Sequence, residues 1–164
     1  MTLTKLALPA ALAALLAVPA WAQDGTQVAA SLEELQGDPE AGAEVFESQC
    51  VTCHVVTNPE GETLAGRRAR TGPNQWGLPG RQAGTVEDFR GYSRSMVEAG
   101  EEGLVWNEAQ FTAYVQDPTG FLREYLDNRR ARGKMSYRVR SEEDALNVWA
   151  YLYSLSPPEA AGDS

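Results

Sequence analysis

Residues 50–54 read Cys-Val-Thr-Cys-His, and they contain both cysteines of this 164-residue chain and its only histidine. Thiols three residues apart stand on one side of a helical turn, and the imidazole that follows falls beside them. Cys-x-x-Cys-His is the attachment pattern of c-type haem, in which the two thiols add to the two vinyl groups and the histidine reaches the iron. A chain built on this motif has to fold around a rigid, largely apolar plate. The competing readings each leave something over. A Cys50–Cys53 disulfide closes a small ring, constrains little chain entropy and leaves His54 without a purpose. A thioredoxin-like redox pair needs a βαβ unit, and nothing nearby alternates like one. Zinc would find three ligands in Cys50, Cys53 and His54, with no further Cys or His to close a structural site.

A single histidine also restricts the far side of the iron. The sixth ligand is Met, Lys, water or nothing. Apart from Met1 the methionines are Met96 and Met135. Met96 sits in YSRSMVEAG, an amphipathic stretch in which a methionine fills core space. Met135 sits in RARGKMSY, a polar loop that gives it no packing task, and is the stronger candidate. A His/Met pair raises the reduction potential and leaves no open coordination position, which favours electron transfer over catalysis.

The N-terminus reads as a leader. Lys5 precedes an apolar run from Leu6 to Val18, and Ala20-Trp21-Ala22 supplies a small-x-small end, so residues 1–22 are expected to be an export signal cleaved after Ala22. The run is shorter than the roughly 20 residues a membrane-spanning helix needs. Residues 23–36 read as a flexible acidic segment, 37–156 as one domain and 157–164 as a flexible acidic tail. Within the domain, Asp38-Pro39 is a strong helix start. Ala41, Val45 and Phe46 form the apolar face of that helix, with Gly42 open to close approach. The stretch from Val55 to Gly84 is dense in turn residues and reads as a long loop, of the kind that wraps a ligand. Short helices are expected near 94–101, from about 107 to 116 and from 118 to about 127. Ser141-Glu142-Glu143-Asp144 reads as a capping box opening a last helix, apolar on the side of Leu146, Val148, Trp149 and Leu152. No segment alternates like a strand, so the fold class is all-α.

The ordered segments GAEVFESQCVTCH, TGPNQWGLPGRQAG, FRGYS, VWNEAQFTAYVQDPTGFL, GKMSY and EDALNVWAYL together resemble a class I cytochrome c, and within it the long bacterial cytochrome c2 type and the related periplasmic c550 group. The resemblance spans about 37–155. It implies helices and long loops wrapped around one covalently attached haem c, with Cys50 and Cys53 as the attachment points and His54 and Met135 as axial ligands. It further implies that Pro73 accepts the NH of His54 through its carbonyl. Arg81 would lie near a haem propionate, with Tyr92 and Trp106 as propionate donors and Tyr114 beside the methionine sulfur. Gly42 and Phe46 would cross the last helix near Trp149 and Tyr151. As function it implies a periplasmic one-electron carrier, expected to be monomeric and not an enzyme. Electrons would come from a cytochrome bc1 complex and go to a photosynthetic reaction centre or a terminal cytochrome c oxidase.

The formal net charge is −9, and it is unevenly placed. From 23 to 66 there are nine acids and no base; from 67 to 140 there are thirteen bases and nine acids; from 141 to 164 there are five acids and no base. On the resembled fold the basic middle includes much of the haem-edge rim, which makes Arg67, Arg68, Arg70, Arg129, Arg130, Arg132 and Lys134 candidates for partner docking. The family usually docks through lysines, and beyond the leader this chain has only Lys134. The acidic total argues against nucleic acid as a partner. Two other functions remain open: a haem enzyme or gas-binding sensor with an open distal site, if Met135 does not bind iron, and a structural module in which haem is only a folding staple.

Overall fold

The computed structural model describes residues 34–158. The expected leader lies outside the described residues, as do most of the acidic 23–36 segment and the end of the tail. Among the described residues the order is α1 (Pro39–Gln49), β1 (Val56–Thr57), β2 (Thr63–Ala65), α2 (Arg94–Glu101), α3 (Glu108–Gln116), α4 (Pro118–Tyr125) and α5 (Glu142–Leu155).

Each helix starts where a short polar side chain can take up free backbone N–H groups. Asp38 accepts from Glu40 at 2.8 Å and Ala41 at 3.3 Å. Ser93 caps α2 through the Met96 N–H, Asn107 caps α3 through Gln110, and Ser141 caps α5 through Asp144. Asp117 both ends α3 and caps α4 through the Gly120 N–H, and Pro118 opens α4 with its fixed φ. α4 stops at Tyr125, short of the expected end, and Asp127 reverses the chain at φ 42°.

α1 and α5 cross in contact. A Cβ on Gly42 would fall inside the carbonyl of Asn147, so only hydrogen fits there. The Asn147 side chain accepts the N–H of Asp38 at 2.8 Å, which ties the start of α1 to the same place. α5 is buried on more than the expected side. Ala145, Val148, Trp149 and Leu152 are covered at helical spacing, but so are Asn147, Ala150 and Tyr153, while Leu146 is half-exposed. α1 crosses at the small residues, so that flank needs no apolar stripe. Tyr151 meets Phe46 at a ring distance of 5.7 Å, whereas Trp149 packs its ring on Phe111 of α3 at 5.4 Å. Gly42→Leu is expected to cost about 3 kcal/mol through forced separation of the two helices. On a domain of this size that lowers the thermal midpoint of the haem-loaded protein by about 10 °C, read by circular dichroism. An unchanged midpoint would show that the crossing is not tightly fitted.

The long loop after the haem motif contains a structure the sequence did not signal. β1 and β2 pair antiparallel, Val56 opposite Ala65 and Thr57 opposite Thr63. Strands of two and three residues are too short to display alternation, which is why the segment reads as loop. Further along, the backbone of 80–83 pairs with 104–106: Gly80 N–H donates to Trp106 O at 2.9 Å, Trp106 N–H to Arg81 O at 3.0 Å, and Ala83 N–H to Leu104 O at 2.9 Å. That pairing places Arg81 and Trp106 side by side.

Candidate haem site

Cys50 to His54 continue from α1 as a tight turn, with the N–H groups of Cys53 and His54 donating to Cys50 O at 3.1 and 3.0 Å. The turn holds both thiols and the imidazole against one cavity of about 450 Å³, within the usual range for a site that encloses a small organic molecule. The walls come from every part of the fold that the resemblance names. α1 contributes Phe46, α2 Met96, α3 Phe111, Tyr114 and Val115, and α5 Val148; the loops add Leu78, Phe89, Tyr92, Trp106 and Met135. The lining is mainly apolar. Phe121 packs behind Trp106 and Tyr114 of that lining, the three rings having centroids 5.1 to 6.4 Å apart.

His54 is held by the 72–75 segment. Its Nδ1 lies 2.9 Å from Pro73 O, which leaves Nε2 as the ring nitrogen without that bond. The segment cannot drift, because Gly72 N–H donates to Cys53 O at 2.7 Å and Gln75 N–H to Val55 O at 2.8 Å. A Cβ on Gly72 would overlap the imidazole ring, so the glycine is the residue that lets the loop pass this close. Burial lowers the pKa of His54, partly offset by the Pro73 hydrogen bond. Cys50 and Cys53 are not joined in a disulfide. Burial, with Cys53 adding to it, pushes Cys50 up to about 11.

Of the residues singled out from sequence, Cys50, Cys53, His54, Pro73, Tyr92, Trp106, Tyr114 and Met135 all border the cavity. Arg81 stands just behind it. Its guanidinium donates to Trp76 O at 2.7 Å and Asn74 O at 3.2 Å, bracing the loop that carries Pro73. Burial lowers the Arg81 pKa and the nearby Tyr92 opposes this; burial raises Tyr92, with Arg81 opposing in turn. Burial likewise raises the Tyr114 phenol, which stays protonated as a donor. Met96 fills core space as expected, and it also lines the cavity. Packing alone therefore does not separate the two methionines. Arg67, Arg68, Arg70, Arg129, Arg130, Arg132 and Lys134 are all exposed, and of them Lys134 reaches the cavity rim.

Sequence reasoning passed over Gly72, Gln75 and a bridge across the cavity mouth, where the Tyr137 hydroxyl donates to Gln49 Oε1 at 2.6 Å. The TGP turn beside a CxxCH motif could have pointed to Gly72. Nothing local marks Gln75 or the bridge, since both depend on where distant segments meet.

The comparisons with known proteins agree with this geometry. No protein-family model matches the chain. It is 50% identical over 147 residues to the cytochrome c2 of Cereibacter sphaeroides, covering 90% of this chain and 92% of that protein. The chain belongs to the cytochrome c2 family. The solved structure of cytochrome c2 from Rhodobacter sphaeroides superposes with a TM-score of 0.73 at 53% identity, over 74% of this chain and 98% of that one. Cytochrome c-550 of Paracoccus denitrificans is 33% identical over 162 residues, 97% of this chain and 93% of its own length. As a cytochrome c2 the chain has the class I cytochrome c fold and carries one covalent haem c; it is an electron carrier and not an enzyme. No helix among the described residues is long and apolar enough to cross a membrane.

Proposed function

We propose that this cytochrome c2 works in the periplasm as a one-electron shuttle between a cytochrome bc1 complex and either a photosynthetic reaction centre or a cytochrome c oxidase. The observation that carries the proposal is that His54 and Met135, from segments 81 residues apart, border one apolar cavity that also holds both thiols. Haem c supplies the ferrous–ferric couple; the chain decides its potential, its burial and its partners.

Cys50 and Cys53 would form the two thioether links. His54 Nε2 and the Met135 sulfur would be the axial ligands, and the Pro73 carbonyl would fix the ring of His54 and strengthen it as a donor. Arg81, Tyr92 and Trp106 would hold the propionate edge, where a buried guanidinium beside two aromatic donors can offset the carboxylate charge. Tyr114, a protonated phenol in an apolar wall, would hydrogen-bond the methionine sulfur. With both axial positions filled, the site binds no substrate and exchanges only an electron.

Docking would use the exposed Arg67, Arg68, Arg70, Arg129, Arg130 and Arg132 with Lys134, which stands at the cavity mouth. A basic front on an acidic body orients the approach to an acidic partner and speeds encounter at low salt. Replacing Arg129, Arg130 and Arg132 together by glutamine is expected to lower the bimolecular rate of electron transfer to isolated reaction centres roughly tenfold at low ionic strength, and to flatten its salt dependence. Stopped-flow or flash kinetics over a salt series would measure this. Parent-like rates and salt slope would remove these three arginines from the docking face, and a parent with no salt dependence would remove electrostatic docking altogether.

A further inference from the structure

Among the described residues, Gln75 is the carboxamide that stands within hydrogen-bond distance of the His54 ring. It is 8% exposed. Its backbone is fixed at both ends, the N–H on Val55 O at 2.8 Å and the carbonyl receiving Leu78 N–H at 3.1 Å. Its side-chain Nε2 lies 3.0 Å from Pro73 O and 2.7 Å from His54 Nδ1, while Pro73 O and His54 Nδ1 are themselves 2.9 Å apart. Three polar atoms thus form a triangle with every side at hydrogen-bond length.

Such a triangle cannot be fully satisfied. A carbonyl oxygen only accepts and an amide nitrogen only donates, so the imidazole nitrogen decides which two sides are hydrogen bonds. A bare Nδ1 would accept from Gln75 and face the Pro73 oxygen lone pair to lone pair. A protonated Nδ1 donates to Pro73, and Gln75 donates to the same oxygen. Iron on Nε2 selects the second arrangement, because the neutral ring then carries its one proton on Nδ1. Two donors therefore share one carbonyl, and the 2.7 Å side sets donor against donor.

Resting on the reading of His54 as an iron ligand, we infer that Gln75 is a positioning residue that competes with His54 for the Pro73 carbonyl and so raises the reduction potential. The bond from Nδ1–H to a carbonyl pushes electron density into the ring and makes it a stronger donor to ferric iron. Whatever Gln75 draws from that carbonyl is withheld from the imidazole. The ferric state then loses more stabilisation than the ferrous state, and the potential moves up. The segment's backbone bonds to Cys53 and Val55 hold the frame rigid, so the competition cannot be relieved by the loop moving away.

The test compares haem-loaded parent protein with Gln75→Leu and Gln75→Met, two apolar replacements of similar size. Both are expected to lower the reduction potential and to move the His54 Nδ1–H proton resonance of the ferrous protein downfield with slower solvent exchange. A merely structural role would lower thermal stability and leave potential and resonance in place. Unchanged potentials in both variants would overturn the inference. Raised potentials would overturn it too, since they would mean that the amide oxygen, accepting from Nδ1–H, had been strengthening the ligand. The near-infrared absorption band that marks methionine on ferric iron is read in the same samples. Its absence from the parent would sink the Met135 assignment alone, because parent and variants share whatever stands on the distal side and their difference still decides the role of Gln75.

Discussion

The chain without haem is expected to lose most of its helical circular dichroism at room temperature. Cys50→Ala with Cys53→Ala, freed of unattached haem, is the form to measure. The cavity is about 450 Å³. The cavity opens to solvent, so without haem its mainly apolar lining is wetted, which at about 25 cal/mol per Å² costs on the order of 5 kcal/mol, against a total stability of about 5–15 kcal/mol for a domain. Four of the five helices among the described residues turn buried side chains to this space, Phe46, Met96, Phe111 and Val148 among them, so collapse inward would break the packing on their other sides. α5 is the best placed to survive in part, since its Trp149 packs on Phe111 and its flank on α1 away from the cavity. A haem-free chain with native-like ellipticity and one cooperative thermal transition would mean that the cavity closes at low cost and that the haem is cargo rather than core.

The same dependence explains what could be read from the sequence. The start of α1 and the start of α5 were legible because Asp38-Pro39 and Ser141 act locally, through backbone N–H groups within three residues. The CxxCH motif was legible because its chemistry is complete within five residues. The burial of Asn147 and Ala150 was not, for it follows from α1 crossing at Gly42, a contact between segments about a hundred residues apart. The hairpin after the motif escaped because its strands are shorter than one period of alternation can prove. Gln75 escaped for a different reason. A glutamine between Asn74 and Trp76 reads as loop surface, and only the fold of 72–75 back onto the motif puts its amide against the His54 ring. Local chemistry is visible in a chain; competition for one carbonyl becomes visible only when two segments are brought together.

Met135→Ala should abolish the near-infrared band of sulfur on ferric iron and lower the reduction potential by on the order of 0.2 V, a fraction of the roughly 0.8 V that axial ligands command. The outcome depends on what the cavity offers in place of Met135. Its other sulfur outside the haem motif is Met96, fixed in α2 behind the Ser93 cap and 6% exposed. Met96 has its backbone fixed in α2, whereas Met135 stands in an irregular segment between Gly133 and Tyr137, where the chain is free to bring its sulfur to the iron. Removing Met135 therefore opens the distal position rather than exchanging one methionine for another. Carbon monoxide should then bind the reduced variant and not the parent. Tyr114 on the same wall would be left as a donor facing the open position, where it can hold a water. Met96→Leu, which keeps volume, is the companion variant: its band should persist. A band that survives Met135→Ala and vanishes in Met96→Leu would reverse the assignment. A parent that lacks the band and binds carbon monoxide would make the distal site open from the start, and the electron shuttle would give way to a ligand-binding haem protein.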